Sequence, residues 1–156
     1  MKNFKYKFII TLIISIFLSG CMQKEPQIPQ AVSFTVISPM VKLSDAGFLR
    51  VYKNSVHLQI YSSGVSVLEI VVKDRICMNN ACKDELAFNK DFFTKEHYRG
   101  FFDEILRKKP IYNGKNLVKT ECGFEQNLRN LSYKVCGKEL FFKDKNDIKI
   151  ILKDID

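Results

Sequence analysis

The two histidines and two pairs of adjacent acids are the side chains best suited to general acid–base chemistry. His57 alternates outward from a predicted strand, and His97 falls in the first turn of a predicted helix, so both are expected at the surface. Asp84-Glu85 and Asp103-Glu104 are neighbours in sequence, and neighbouring side chains point apart on a strand or a helix. The sequence contains no recognised metal or nucleophile motif at either histidine and no glycine-rich phosphate loop. We therefore expect a non-enzymatic protein with no cofactor and no metal site.

The first twenty-one residues have the pattern of an export signal. Lys2, Lys5 and Lys7 give a positive start, and an apolar run extends from Phe8 to Leu18. This run is too short to span a bilayer comfortably. It ends in Leu18-Ser19-Gly20-Cys21, which resembles the lipobox of bacterial lipoproteins. The resemblance implies that residues 1–20 are a signal peptide and that the Cys21 thiol carries a diacylglycerol. A plain secretory peptide and an N-terminal membrane anchor are the alternatives.

Residues 21–31 are predicted to form a lipidated tether between the membrane and the folded domain. The stretch from Met22 to Gln30 contains two prolines and mostly polar residues, with little that could pack. Met22 follows the lipidated cysteine, where an aspartate retains some bacterial lipoproteins in the inner membrane. By this resemblance we expect the protein on the outer membrane, with its periplasmic face favoured over the cell surface.

Charge and motifs limit the possible partners. The chain has 25 basic and 17 acidic residues. The predicted signal contains three of the basic residues and none of the acidic ones, so the mature protein would keep 22 basic and 17 acidic residues. A moderately basic tethered chain is favoured near anionic headgroups, although scattered surface lysines account for the same balance. We expect membrane lipid as a partner through Cys21 and a lipid or lipoprotein as a ligand. Nucleic acid is not expected, because no motif for it appears.

The remaining cysteines are Cys77, Cys82, Cys122 and Cys136. An even number of cysteines in an exported protein indicates disulfides. The local pairing would join Cys77 to Cys82 and Cys122 to Cys136, and the crossed pairings stay open. A metal site made of all four thiolates is disfavoured, because their spacings do not match a two-residue knuckle and export favours oxidation.

From Val32 onwards, the sequence has the period-2 alternation of β-strands. In the clearest segment, Val56, Leu58 and Ile60 alternate with polar residues. The segment Val65 to Val72 is apolar on both faces, which places it either centrally in a sandwich or between a helix and a ligand cavity. Further strands are predicted near residues 33–37, 48–53, 117–120, 124–128, 131–135, 139–143 and 148–153.

The middle of the chain changes to helical spacing. Five apolar or aromatic residues recur at intervals of three and four, which places them on one stripe of a helix: Tyr98, Phe101, Phe102, Ile105 and Leu106. Thr94 is the predicted N-cap, Pro110 stops the helix, and Gly100 is expected to weaken it and allow close approach to the sheet. Such a stripe is more often core than ligand site.

These elements predict an α+β fold of mostly antiparallel β structure. We expect a curved sheet or an unclosed β-barrel with a central helical segment packed on it, in one domain over residues 32–156. The element order and the closing segment Leu140 to Asp156 are similar to the Lol-pathway outer-membrane lipoprotein receptors (LolB-like). In that family an unclosed β-barrel wraps a hydrophobic cavity, capped by helices, that holds the acyl chains of lipoproteins in transit. The turn Ser62-Ser63-Gly64-Val65 lacks the exposed leucine of that family's protruding loop, and the cysteines lie outside its pattern.

The leading functional hypothesis is therefore a lipid-anchored carrier or receptor for an acyl chain or another apolar ligand. Eight residues are predicted to line its apolar pocket: Leu68, Ile70, Val72, Phe101, Phe102, Ile105, Phe141 and Ile150. The alternatives are a structural or adhesin-type module with an immunoglobulin-like sandwich, and an auxiliary subunit of an envelope transport complex. The central helical stretch counts against a plain sandwich, whose strands are joined by short turns.

Overall fold

The structure, a computed structural model, describes residues 28–155. These residues form strands β1 (Gln30–Ile37), β2 (Lys42–Val51), β3 (Val56–Ser62), β4 (Val65–Val72), β5 (Ile76–Met78), β6 (Ala81–Lys83), β7 (Leu117–Thr120), β8 (Gly123–Leu128), β9 (Leu131–Cys136), β10 (Glu139–Asp144) and β11 (Lys149–Asp154). Helices α1 (Glu85–Phe93) and α2 (Phe101–Leu106) and a 3-10 turn (Tyr112–Gly114) lie between β6 and β7. The predicted signal peptide, the lipid attachment site Cys21 and most of the predicted tether lie outside the described residues.

All the strands belong to one antiparallel sheet with the order β6-β5-β4-β3-β2-β1-β11-β10-β9-β8-β7. The first six strands follow one another as a meander, and so do the last five. The two halves join where β1 pairs with β11, with Phe34 opposite Leu152. Because β6 and β7 are the two edges, the sheet is unclosed. The predicted α+β class with a curved, mostly antiparallel sheet is confirmed, whereas the two facing sheets of an immunoglobulin-like sandwich are not formed.

The alternation in β3 produces one buried and one solvent-facing side of the sheet. Val56, Leu58 and Ile60 are fully buried on the side that we call the inner face. In β4, Leu68, Ile70 and Val72 also lie on the inner face, as the two-residue period requires. The start of β4 is different, because all of its first three residues are exposed. The apolar run in β4 is therefore buried on the inner face over its second half only.

The chain from residue 84 to residue 116, which we call the helical segment, covers the inner face. The sequence predicted one helix starting at Thr94, but the structure forms two. The Asp84 carboxylate caps α1 by accepting from the Leu86 N–H at 3.0 Å, and Thr94 ends it in a left-handed conformation with φ 56°. Gly100 then precedes α2 at φ 88°, a conformation that favours glycine. Nothing lies within 4 Å of where a Gly100 side chain would begin, so this glycine precedes α2 without the close approach to the sheet that was expected.

Two disulfides tie neighbouring strands together. Cys77 bonds to Cys82 across the β5–β6 hairpin, and Cys122 bonds to Cys136 beside the β8–β9 pairing. This is the local pairing that was predicted from the sequence, and neither crossed arrangement is formed. The bridges lie in opposite halves of the sheet, close to its two edges.

Candidate functional site: the interface under the helical segment and a basic cleft

Seven of the eight predicted pocket residues lie together at the interface between the helical segment and the sheet. Each has an exposed fraction of 0–2%: Leu68, Ile70, Val72, Phe101, Phe102, Ile105 and Ile150. Phe141 is the exception, because strand alternation turns Leu140 and Phe142 inward and Phe141 outward. On the outer face, the Lys149 ammonium lies 6.0 Å from the centre of the Phe141 ring. The structure therefore places Phe142, and not the predicted Phe141, at this interface.

Six buried phenylalanine rings are linked by ring contacts between the helical segment and the inner face, and we call them the aromatic cluster: Phe88, Phe92, Phe93, Phe101, Phe102 and Phe142. Phe93 lies at the centre of this cluster. Its ring contacts four others at centroid distances of 4.8–5.8 Å, all near edge-to-face. Such pairs contribute about 0.5–1.5 kcal/mol each beyond the burial of their area. The contact between helices and sheet is thus mainly an apolar, aromatic one.

A hydrogen-bonded group of side chains borders the aromatic cluster within the helical segment. The Tyr98 hydroxyl donates to the Glu104 carboxylate and accepts from the Tyr112 backbone N–H at 2.7 Å. The Tyr112 hydroxyl shares a hydrogen bond of 2.6 Å with Nδ1 of His97. Burial, followed by the bond to Glu104, raises the pKa of the Tyr98 phenol far above its usual range. These bonds hold together parts of the chain that lie before, inside and after α2.

His97 was expected at the surface, but the structure buries it, leaving 5% of it exposed. Its ring stacks parallel to that of Phe101 with a centroid distance of 3.8 Å. Burial, and then the nearby charge of Lys95, lower the pKa of His97 from 6.5 to about 4. His97 is therefore neutral near pH 7. His57, by contrast, lies half-buried against Tyr52 on the outer side, as strand alternation predicted.

Three buried side-chain polar atoms among residues 28–155 have no hydrogen-bond partner: Asn89 Oδ1, His97 Nε2 and the Tyr133 hydroxyl. Asn89 and His97 belong to the helical segment, and Tyr133 lies on the inner face of β9. An unsatisfied buried polar group costs about 1–3 kcal/mol. The interface therefore contains unmet hydrogen-bonding capacity as well as apolar surface.

Polar contacts fasten the helical segment to the sheet just after each of its helices and near residue 115. After α2, Lys108 Nζ lies 2.7 Å from the Asp154 carboxylate and donates to the Lys138 carbonyl at 2.8 Å. Arg107 donates to the Ser55 carbonyl at 3.1 Å.

After α1, the Asn146 amide donates to the Thr94 hydroxyl at 2.9 Å. Near the end of the segment, the Gln126 amide bonds to backbone groups of both Ile111 and Lys115.

A surface cleft of about 330 Å³ lies where the helical segment meets the β8–β9 hairpin. We call it the basic cleft, because its lining includes three cations and no carboxylate: Lys95, Tyr112, Lys115, Asn116, Leu128, Arg129, Asn130 and Leu131. Its cations come from three separate parts of the chain. No salt bridge within residues 28–155 engages Lys95, Lys115 or Arg129. Sequence reasoning did not find this cleft, since no local motif unites the three positions.

In the described part of the chain, no helix is long and apolar enough to cross a membrane. The same residues contain no group of three or more histidine, cysteine or acidic side chains that could hold a metal ion. No protein-family model matches the chain, and no curated protein matches it.

Proposed function

We propose that the protein is a lipid-anchored envelope lipoprotein, attached through Cys21, whose domain holds an acyl chain of a lipid or lipoprotein. In this proposal the acyl chain lies between the helical segment and the inner face of the sheet. The observation that carries the proposal is the aromatic cluster. It makes the contact between helices and sheet apolar, so an acyl chain can pack against the inner face in place of the phenylalanine rings. Burial of each methylene group contributes about 0.8 kcal/mol.

The construction of the helical segment supports the proposal. Helices of nine and six residues are too short to be stable alone, so their position depends on packing against the sheet. A ligand that replaces part of this packing can displace them without breaking the strand pairing. The unpartnered Tyr133 hydroxyl on the inner face offers a polar contact to such a ligand. The unclosed sheet capped by helices is also the arrangement that the LolB-like resemblance implies.

Locking the helical segment tests this mechanism. Thr94→Cys and Asn146→Cys place thiols at two side chains that contact each other at 2.9 Å, and the four native cysteines of the domain are already paired. We expect residues 22–156 carrying either single substitution to take up a fluorescent fatty acid. The double variant joined by a short bismaleimide should lose most of the uptake. Equal uptake by the joined protein contradicts the displacement of the helical segment.

The attachment is tested separately from the ligand. Cys21→Ala removes the thiol that the lipobox resemblance assigns to diacylglycerol, so the protein should move from the membrane fraction to the soluble fraction. The matched control is Ser19→Ala, which keeps a small residue before Cys21 and should leave the protein with the membranes. A Cys21→Ala protein that still fractionates with membranes refutes the attachment.

A further inference from the structure

The basic cleft concentrates positive charge next to the aromatic cluster. Lys95, Lys115 and Arg129 line one cleft of about 330 Å³ together with the amides of Asn116 and Asn130. Asp144 interacts electrostatically with Lys95, but it lies outside the lining and already accepts from two backbone N–H groups. Three cations and several neutral donors without a lining carboxylate favour an oxygen-rich anion.

Tyr112 connects the basic cleft to the interior. It lines the cleft, and its ring contacts Phe101 of the aromatic cluster at a centroid distance of 5.7 Å. Phe101 in turn contacts Phe142 on the sheet at 6.0 Å. A ligand with its anionic group in the cleft and its chain directed past Tyr112 would reach the space assigned to the acyl chain.

We propose that the basic cleft binds the phosphate of a phospholipid headgroup while the acyl chains enter the aromatic interface. This inference rests on the proposed function for the position of the chains, but the phosphate site is defined by its own residues. Phosphate fits better than a carboxylate, because three cations can each make a charge-assisted hydrogen bond to a different phosphate oxygen. The ligand class is thus an anionic phospholipid, and the cleft selects its headgroup.

Native mass spectrometry of the full chain, released from detergent micelles, tests the assignment. The probes are phosphatidic acid and diacylglycerol with identical acyl chains, which differ only by the phosphate. We expect the protein to bind phosphatidic acid about tenfold more tightly. The triple variant Lys95→Ala, Lys115→Ala, Arg129→Ala should reduce this preference to less than about twofold and leave diacylglycerol binding unchanged. A control variant with Lys42→Ala, Lys119→Ala and Lys153→Ala, all exposed, should keep the preference.

The other outcomes separate the phosphate site, the acyl-chain function and the lipid assignment. Equal binding of both lipids, or a preference that survives in the triple variant, overturns the phosphate site and leaves the acyl-chain function intact. Binding of neither lipid overturns the acyl-chain function and this inference with it. Inorganic phosphate that binds the cleft as tightly as phosphatidic acid assigns the site to free phosphate and overturns the lipid assignment.

Discussion

The ring of Phe93 on α1 meets the ring of Phe142 on β10 edge to face, with centroids 5.7 Å apart. This contact joins the helical segment to the sheet at the centre of the interface. Both side chains are 0% exposed, so each depends on the other for part of its burial. The stability of the domain and the position of its helices are therefore set by the same group of rings.

Removing the sheet side of this contact should destabilise the domain strongly. Phe142→Ala deletes a ring that Phe93, Phe101 and Tyr133 all contact, and we expect a loss of about 3–5 kcal/mol in the free energy of unfolding. Urea denaturation measures it. The neighbouring Phe141→Ala is the matched control on the outer face and should cost less than about 1 kcal/mol. Similar losses for the two variants contradict the assigned strand faces.

The buried ion pair between Lys108 and Asp154 should stabilise the domain more than an exposed ion pair does. Their side chains are 16% and 5% exposed, so Asp154→Ala leaves a mostly buried ammonium without its partner and should cost about 3 kcal/mol. Lys83 and Asp91 form an exposed pair at 2.5 Å, and Asp91→Ala should cost only about 0.5 kcal/mol. Thermal denaturation of both variants checks the order. An Asp154→Ala protein as stable as the parent refutes the role of this pair in fastening the helical segment.

His97 should make stability depend on pH. Its pKa is about 4 in the folded protein and near 6.5 in the unfolded chain. Between these values the unfolded chain binds a proton that the folded protein does not, so stability falls as the pH falls through this window. His97→Phe keeps a ring against Phe101 and should lose this part of the dependence.

The pH prediction is measured as the difference in urea midpoint between parent and His97→Phe at about pH 7 and at about pH 4.5. Asp144 acts in the opposite sense, because burial raises its pKa, but it is present in both proteins and cancels in the difference. The parent should lose stability relative to the variant as the pH is lowered. A difference that is independent of pH shows that His97 titrates normally.

The two disulfides should contribute unequally to the free energy of unfolding. The Cys122–Cys136 bridge spans a sequence separation of 14 and the Cys77–Cys82 bridge one of 5. Since the longer loop restricts the unfolded chain more, its removal by Cys122→Ala with Cys136→Ala should cost about 3 kcal/mol, against about 2 kcal/mol for the shorter one. Chemical denaturation of the two double variants gives the comparison. The reverse order indicates that strain or residual structure outweighs loop length.

The alternation of apolar residues was enough to predict most of the strands and the fold class. It missed β6 (Ala81–Lys83) and the first half of β2 (Lys42–Val51), which was predicted only from residue 48. Val56, Leu58 and Ile60 identify a covered face without any tertiary information, and Cys77 and Cys82 are close enough in sequence to indicate their pairing. The predicted helix began at Thr94, so α1 (Glu85–Phe93) and the break before α2 were both missed, because the apolar spacing of three and four continues from Tyr98 across Gly100. What decides the break is the left-handed conformation at Thr94 and Gly100, which periodicity does not report.

The candidate site was only partly predictable. Most of the expected lining residues do meet, because each lies on an apolar face that must be covered. Phe141 was misplaced, since Phe141 and Phe142 are equally apolar and only the strand register separates them. His97 follows Lys95-Glu96 and lies two residues before Arg99, so its sequence surroundings indicated exposure. Its burial results from packing against Phe93 and Phe101. The basic cleft depends on the topology that brings residues 95, 115 and 129 together.

The most direct test of the acyl-chain proposal is to identify what the domain carries. Residues 22–156, exported without the lipid attachment cysteine, are purified without detergent and extracted with organic solvent, and the extract is analysed by mass spectrometry. The proposal predicts acyl-chain lipid in near-stoichiometric amount. An extract free of lipid, together with no uptake of added fatty acid, contradicts it.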